Sequence, residues 1–520
     1  MSKWFNVKGT CVPTKHYMVD ISNRLEKMKR LVEKEEYFVI NRARQYGKTT
    51  TLSQLSSLLA DEYIVISLTF QKFGYSDFSS EEMFCQEFLN QVSKILELSG
   101  SSEGWMNTTV KSFSAFDRHI TEMCRDKKII LMIDEVDKAS NYSVFLDFLG
   151  ILRAKYLDRA VKLDSTFHSV ILAGVYDIKN IKLKMIEKGL YQLTSGERSS
   201  ESPWNIAENF DEDMSFAPAE IAEMLADYEE DHQTGMDTIE VAEEIYSYTS
   251  GYPFLVSRIC QYMDEKLMKN WTKAGIWEAV KLITEEPQPN TLFDDLFKNI
   301  RNNAMLSKFL YRVLMEGERF KFSQGSEIIG AGLRYAFIRI ADREIRIHNK
   351  IFEIIITDYF IDKERIEGHD FVNNRIEADV VNGEQFNIEL FFEKFNNHYQ
   401  KYYSDRDENF IEREAAFLFL FFLQPYLNGE GAYHLESKPN FATGKRMDVV
   451  ISYGSQEFIV ELKIWRGIKR QQNAYKQLLE YMDKRGADKG YLLTFDFRKK
   501  KEIKQEWVQM GKKAVLDIQV

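Results

Sequence analysis

Cysteine, proline and long apolar runs are all scarce in this chain, and each scarcity excludes something. The four cysteines, Cys11, Cys85, Cys124 and Cys260, lack the spacing of metal ligands. They read as reduced, mostly buried thiols of a cytoplasmic protein rather than a disulfide framework. Only 8 prolines and no low-complexity tract argue against long disordered linkers. No stretch approaches about 18 uncharged apolar residues, so no membrane span is expected. Met1-Ser2-Lys3-Trp4 has no apolar signal core. What is abundant is core-forming material: 44% hydrophobic and 13% aromatic residues over 520 positions. That suffices for roughly three or four globular domains.

Early in the chain, Glu36-Tyr37-Phe38-Val39-Ile40 is a short β-rich run followed by the loop Asn41 to Tyr46 and then Gly47-Lys48-Thr49-Thr50. A helix is expected from Thr51 to Leu59. Strand, loop, Gly-Lys-Thr and helix is the order of a phosphate-binding loop. Gly47 lets the backbone approach phosphate, and amides at the helix start bind the anion. Lys48 would reach the β- and γ-phosphates of ATP, and Thr49 would hold Mg²⁺. The first glycine of the usual pattern is missing, since Arg42 stands there.

A partner motif lies at Ile129 to Ile133, followed by Asp134-Glu135-Val136-Asp137. A continuous apolar run suits a strand buried on both faces of a parallel sheet, with acids at its carboxyl end where such sheets bind ligands. Asp134 would join the Mg²⁺ shell, and Glu135 would polarise the water that attacks the γ-phosphate. Tyr63 to Phe70 and His168 to Val175 supply two more strands. Asp177 reads either as a γ-phosphate sensor or as a helix cap for Ile178 onward.

Composition then shifts. From Thr194 to Glu240 there are 14 acids against one Arg. Helices are expected at Pro218 to Tyr228, Thr238 to Thr249 and Phe254 to Lys269, with Gly251-Tyr252-Pro253 breaking between the last two. Residues 290–365 read as a winged helix: a helix from Asn299 to Glu316, another from Glu327 to Leu333, a hairpin across Ala341-Asp342-Arg343, and a closing helix from Asn349 to Phe360. Arg334, Arg339, Arg343 and Arg346 allow DNA contact, and packing against the nucleotide domain is the competing role. Phe391, Phe392, Phe395, Tyr399, Tyr402 and Tyr403 have helical spacing and read as core rather than as a base-stacking platform.

Near the C-terminus, Met447-Asp448-Val449-Val450-Ile451 precedes Val460-Glu461-Leu462-Lys463. On a strand, Glu461 and Lys463 share a face while Leu462 points away. An antiparallel neighbour carrying Asp448 would bring two carboxylates and an ammonium together, a set suited to a hard divalent cation. The metal would activate water and offset charge in the transition state, with Lys463 positioning the nucleophile. An ordinary hairpin with a surface ion pair is the competing reading. A helix is expected from Ala474 to Tyr481, with Gln477 and Tyr481 on one face, then a strand from Gly490 to Phe495. From Glu461 to Val520 there are 15 Lys/Arg against 8 Asp/Glu, although the chain's net charge is −11. A local basic face of this kind, densest at Lys469-Arg470 and Arg498-Lys499-Lys500-Lys501, suits nucleic acid or is a plain solvated surface.

Together these C-terminal motifs resemble the PD-(D/E)XK nuclease core over roughly residues 380–520, in the variant fused to an AAA-type ATPase. The resemblance implies that Asp448 and Glu461 bind metal, Lys463 is catalytic and Gln477 supports the site. Glu414 is the first-helix carboxylate candidate, and Met447 replaces the eponymous proline. The Arg42-to-Thr50 loop, which includes Arg44 and Thr50, and the Gly-Tyr-Pro turn are similar to those of AAA+ and signal-transduction (STAND) ATPases. There Pro253 would lie near the adenine. The expected fold is α/β multidomain: a P-loop αβα parallel-sheet ATPase core (1–215), a helical lid (216–285), a winged helix (286–368) and a restriction-endonuclease-like α/β domain (369–520). The implied function is an ATP-regulated nuclease using Mg²⁺, or Mn²⁺ at the nuclease site, acting on DNA or RNA in bacterial defence. A homo-oligomer and a protein trigger are implied as partners, and no membrane. The alternative is a nucleotide-dependent switch whose nuclease-like module binds without cutting.

Overall fold

The computed structural model describes residues 3–98, 100, 110–175, 178, 185–186, 204–285, 291–314, 320–341, 343–366, 380–382, 385–403, 419–420, 422–423, 426–427, 431–436, 447–465, 467–496, 498 and 503–520. The chain divides into two compact units. The first comprises residues 1–279, 290–296 and 330–337, and the second 280–289, 297–329 and 338–520.

The first unit opens with two short parallel strands, β1 (Trp4–Phe5) and β2 (His16–Tyr17). Its main sheet contains β3 (Phe38–Asn41), β4 (Ile64–Thr69), β5 (Ile129–Asp134), β6 (Ser169–Gly174) and β7 (Glu208–Asn209), in the order β4-β5-β6-β3-β7. Every pairing is parallel. Each residue of β5 and β6 is buried, as continuous apolar runs covered on both faces must be. Four of these strands were legible in the sequence. The fifth, β7, is two residues long and carries no periodic signal.

Helices Glu81–Leu98, Phe113–Cys124 and Ser143–Ala160 cover the sheet through a core of Phe84, Phe88, Phe116 and Phe148. Truncating one such phenylalanine typically costs about 3–5 kcal/mol. The lid helices run Pro218–His232, Thr238–Thr249 and Pro253–Glu265. Asp237 starts the second by accepting from the Ile239 and Glu240 amides. Gly251 must be glycine for two reasons: its φ is +73°, and a Cβ would sit 2.1 Å from the Phe216 carbonyl oxygen. The N-terminal strands dock on the lid. Lys3 pairs with Asp227 at 2.7 Å, and the Tyr17 hydroxyl donates to Asp231 at 2.7 Å.

In the second unit, the single helix expected from Asn299 to Glu316 is interrupted. One helix ends at Asn302 and the next runs Ala304–Leu314. Asn303 causes the break, because its side chain accepts from the Leu306 amide at 3.0 Å and caps the second helix. The hairpin of β8 (Ile338–Ala341) and β9 (Glu344–Ile347) forms as expected. Helix Lys350–Ile366 then runs past its expected end at Phe360. Short strands β10 (Val381–Asn382) and β11 (Gln385–Phe386) precede helix Ile388–Tyr403.

The remaining strands are β12 (Gly431–Glu436), β13 (Met447–Tyr453), β14 (Gln456–Ile464), β15 (Lys489–Phe495), β16 (Lys504–Met510) and β17 (Lys513–Gln519). They form one mixed sheet in the order β12-β13-β14-β15-β17-β16, with β14, β15 and β17 parallel. Helix Ile388–Tyr403 covers one face, where Phe392 meets Tyr491 and Tyr399 meets Phe495. Of the aromatic stripe, Phe391, Phe392, Phe395 and Tyr399 are therefore core. Helix Ile468–Arg485 covers the other face through Ala474, Leu478, Tyr481 and Met482. Glu414 and Asp177 lie outside the described residues.

Asp358, on helix Lys350–Ile366, accepts a long hydrogen bond from Tyr433 of β12 at 3.4 Å. Burial, reinforced by the like charges of Asp362 and Glu285, pushes its carboxyl up to about 7 against the lesser effect of Tyr433. The folded state thus holds this proton more tightly than the unfolded chain. Its contribution to stability is full below the unfolded carboxylate range and is lost as pH rises through about 7. Asp358→Asn should therefore melt with the parent at pH 4 and above it at pH 8. Thermal denaturation across that range checks this, and a pH-independent difference would contradict it.

Candidate functional sites

The first site is assembled where β3, β5 and β6 end. Gly47, with φ of 82°, turns the chain into helix Lys48–Leu59. Nothing lies within 4 Å of where a Cβ would be, so backbone conformation, not space, selects glycine. Lys48 is buried and donates to the Arg42 and Ala43 carbonyls, both at 2.9 Å. Burial lowers its pKa, while Asp137, Glu135 and Asp134 pull it upward. The Thr49 hydroxyl donates to Asp134 at 2.6 Å, which joins the loop to the end of β5. A hydroxyl beside a carboxylate is a donor set that fits Mg²⁺.

Glu135 has left-handed φ of 54° and follows directly, its amide donating to Asp134 at 2.9 Å. Burial raises its pKa, opposed by Lys48 and assisted by Asp134 and Asp137. A carboxyl so tuned is suited to handling a proton. Asp137, to which the sequence reading gave no role, accepts from the Val175 amide at 2.6 Å. A Cβ on Gly174 would stand 3.0 Å from both Asp137 oxygens, so Gly174 makes room for that carboxylate.

The other expected residues are held elsewhere on the same loop. Thr50 accepts from the Cys11 amide at 3.1 Å, so the N-terminal segment touches the helix start. The Arg44 guanidinium pairs with Asp295 at 2.9 Å, and Gln45 donates to Thr291 at 2.8 Å. Pro253 is buried and opens its lid helix. It is Tyr252, passed over in the sequence as part of a turn, that reaches the loop. Its hydroxyl donates to the Arg44 carbonyl at 2.6 Å, and its ring meets Tyr46 edge-on at 4.7 Å.

The second site lies on the sheet of the second unit. In the β13–β14 pairing, Asp448 stands directly opposite Glu461 and Met447 opposite Leu462. Opposed residues share a face, although the Asp448 side chain is outside the described set. Lys463 meets Glu461 at 2.7 Å, and the Glu461 side chain is only 2% exposed. A carboxylate this dry requires a cation beside it. No group of three His, Cys, Asp or Glu side chains converges among the described residues, which leave out the Asp448 carboxylate. Glu461 with an opposed Asp448 offers the oxygen ligands that a hard cation takes.

The row continues across the sheet. Leu492 stands opposite Glu461, and Asp517 opposite Leu492; in the next row Thr494 stands opposite Lys463, and Gln519 opposite Thr494. Asp517 is fully buried and accepts from Tyr475 at 2.5 Å and Gln471 at 3.3 Å, with Lys504 at 2.7 Å. Asp517 Oδ1 and Thr494 Oγ1 are buried without a hydrogen-bond partner among the described residues. Sequence reasoning missed Asp517. The available signal was a lone acid inside the apolar run Val515 to Ile518.

Gln477 is half-buried on helix Ile468–Arg485, and Tyr481 packs in the core beneath it. In the basic cluster that begins at Arg498, that residue's guanidinium pairs with Asp496 and stacks over Trp465 at 4.4 Å. Burial would raise the Asp496 carboxyl, but Arg498 and Gln519 together hold it below its usual range. Lys499, Lys500, Lys501 and the side chains of Lys469 and Arg470 lie outside the described residues.

Residues 14–324 match the family described as AAA-like domain, and residues 435–506 match the PD-(D/E)XK nuclease superfamily. The second range contains Asp448, Glu461, Lys463 and Gln477 and stops before Asp517. No curated protein matches the chain. Among solved structures, a Walker-type ATPase of Pyrococcus abyssi is similar at 12% identity and a TM-score of 0.46, over 68% of this chain and 99% of that one. The ORC2 protein of Aeropyrum pernix in its ADPNP–ADP complexes is similar at 10% identity and a TM-score of 0.38, over 66% of this chain and 94% of that one.

Tyr252→Phe removes one hydrogen bond from the loop and keeps the ring against Tyr46. A neutral hydrogen bond is worth about 0.5–1.5 kcal/mol, so nucleotide affinity should fall by about two- to tenfold. Titration with a fluorescent ATP analogue measures this. An unchanged affinity would mean that the lid does not act on the loop through Tyr252.

Proposed function

We infer, for a chain that belongs to the AAA-like domain family and carries a PD-(D/E)XK nuclease superfamily domain at its C-terminus, that it is an ATP-regulated, metal-dependent nuclease. The observation that carries this reading is the register that opposes Asp448 to Glu461 with Lys463 at 2.7 Å, in the same chain as the Thr49–Asp134 pair. We assign the modules as before: ATPase core (1–215), lid (216–285), winged helix (286–368) and nuclease (369–520).

In the ATPase, Lys48 leaves the loop carbonyls to meet phosphate, and Thr49 with Asp134 holds Mg²⁺. Glu135 takes the proton of the attacking water. Arg44, Gly47 and Thr50 shape the phosphate cradle, and Pro253 lies on the adenine side. In the nuclease, Asp448 and Glu461 hold Mg²⁺ or Mn²⁺, which supplies Lewis-acid chemistry at the scissile phosphate. Lys463 orients the attacking water and balances the buried Glu461, and Gln477 supports the site from the helix. The substrate is DNA or RNA. A STAND-like mode of control, homo-oligomeric assembly, a protein trigger, a cytoplasmic setting and a role in bacterial defence complete the proposal. Among the described residues no helix is long and apolar enough to cross a membrane.

Purified protein with Mg²⁺ or Mn²⁺ should degrade plasmid DNA or RNA, and Glu461→Ala should abolish this while leaving ATP binding intact. Cleavage surviving in Glu461→Ala removes the site assignment. A parent that binds nucleic acid yet never cuts replaces the nuclease with a docking module. Lys48→Ala should lose nucleotide binding, whereas Glu135→Gln should bind ATP and slow its hydrolysis by about 10²-fold or more, the usual scale of general-base catalysis. Steady-state phosphate release distinguishes the two.

A further inference from the structure

Asp517 is fully buried and has no place in the reaction proposed above. Its Oδ2 accepts from the Tyr475 hydroxyl at 2.5 Å and from Gln471 Nε2 at 3.3 Å, and pairs with Lys504 Nζ at 2.7 Å. Three groups, two from helix Ile468–Arg485 and one from β16, thus meet at a single oxygen atom. Burial, reinforced by Asp517, raises the Tyr475 pKa, so the hydroxyl stays protonated and keeps donating.

Stability does not account for a charge at this position. Leu492, opposite Asp517, and Val515, two residues before it, share its face of the sheet and pack in an apolar core with Ala474 and Leu478. An apolar residue at 517 would continue that layer, and exchanging a buried ion pair for well-packed apolar side chains is often neutral or stabilising. Asp517 Oδ1 adds a further cost, being buried without a hydrogen-bond partner among the described residues. What the carboxylate supplies is direction. Apolar contacts are non-directional, whereas hydrogen bonds to one atom fix orientation.

The group being oriented is the helix itself. It follows β14, the strand of Glu461 and Lys463, after Gly467, whose φ of 104° favours glycine. At about 100° per residue, Gln471 and Tyr475 lie about 40° apart on one flank, and Gln477 lies about 160° round from Tyr475. Holding the first flank on β17 therefore sets the roll of the helix and the place of Gln477. We propose that Asp517 is a positioning residue of the nuclease centre, gripping Gln471 and Tyr475 so that the same helix brings Gln477 to Glu461 and Lys463. This role rests on the nuclease reading above and extends the centre beyond residue 506, where the family match ends. Asp517 acts through the helix and touches neither substrate nor metal.

Cleavage kinetics of the full-length protein on a labelled oligonucleotide test this in a double-mutant cycle. Asp517→Leu with Lys504→Met replaces the ion pair by apolar side chains and should melt no lower than the parent. Its kcat should fall by about ten- to hundredfold with KM within about twofold, the pattern of a misplaced group rather than a lost substrate contact. Gln477→Ala should lower kcat in the parent but by less than about twofold in that background, where Gln477 is already out of place. Tyr475→Phe loses only the hydroxyl and should show the same pattern on a smaller scale; it decides the question if the first variant does not fold. Parent kcat in Tyr475→Phe, or in a folded Asp517→Leu/Lys504→Met, overturns the proposal. So does an equal effect of Gln477→Ala in parent and variant, which would leave Asp517 a structural clamp. A parent that never cleaves removes the nuclease reading and this role together, whereas variants that cleave like a cleaving parent remove this role alone.

Discussion

Thr49 and Asp134 belong to segments whose strands never touch. β6 lies between β3 and β5, so the Thr49 hydroxyl at the head of its helix must reach over the end of β6 to donate to Asp134 at 2.6 Å. That reach explains what surrounds it. At the end of β6, at Gly174, a side chain would collide with Val136 and crowd Asp137. Glu135 has to turn sharply to clear the site, which it does with a left-handed φ of 54°. A left-handed non-glycine residue costs about 1–2 kcal/mol, and such strain persists only where neighbours enforce it. The buried Lys48 ammonium meets the same geometry from the other side, satisfied by two loop carbonyls, with burial lowering its pKa against the upward pull of three acids.

The second unit solves a related problem with different parts. β14, β15 and β17 are parallel, so their carboxyl ends face one edge, and Glu461, Lys463, Thr494, Asp517 and Gln519 gather there. Parallel strands collect functional groups at such ends because the crossover helix packs against the middle of the strands and leaves the ends to loops. Strand parity is the controlling constraint. A one-residue slip of β14 against β13 would place Leu462 where Glu461 stands and would bury a carboxylate in the phenylalanine layer under helix Ile388–Tyr403. An unpaired buried charge of that kind costs about 3–5 kcal/mol, enough to select one register.

What the sequence revealed follows from how local each signal is. β5 was legible because five consecutive apolar residues followed by two acids have few other meanings. The shared face of Glu461 and Lys463 was legible from alternation alone, since parity needs no knowledge of the partner strand, whereas Asp448 joined them only on the condition of an antiparallel neighbour, which the β13–β14 register meets. The interrupted helix at Asn303 was lost because the apolar period continues through it and only a side-chain cap marks the break. Tyr252 and Asp517 were missed for a different reason. Tyr252 acts through a carbonyl 208 residues away, and Asp517 through Gln471, Tyr475 and Lys504 on other elements. Neither partnership leaves a local pattern. Arg498 adds a partner that charge density did not reveal, since the buried Asp496 pairs with its guanidinium.

The phosphate loop is therefore best seen as a set of competing partners. Two of its cations, Lys48 and Arg44, are held by the Arg42 and Ala43 carbonyls and by Asp295. The Arg44–Asp295 pair is more than half exposed on the arginine side, so solvent screens it and it holds weakly. The Lys48 contacts are buried and hold more firmly, yet they are bonds from a charge to neutral carbonyls. A polyphosphate would offer the same ammonium full negative charge, adding Coulomb attraction to a hydrogen bond that is already charge-assisted. The Arg42 and Ala43 carbonyls lie in the same loop whose Arg44 carbonyl Tyr252 grips. Tyr252 meets this loop twice, through its hydroxyl at that carbonyl and its ring against Tyr46, and Gly251 beside it admits no side chain.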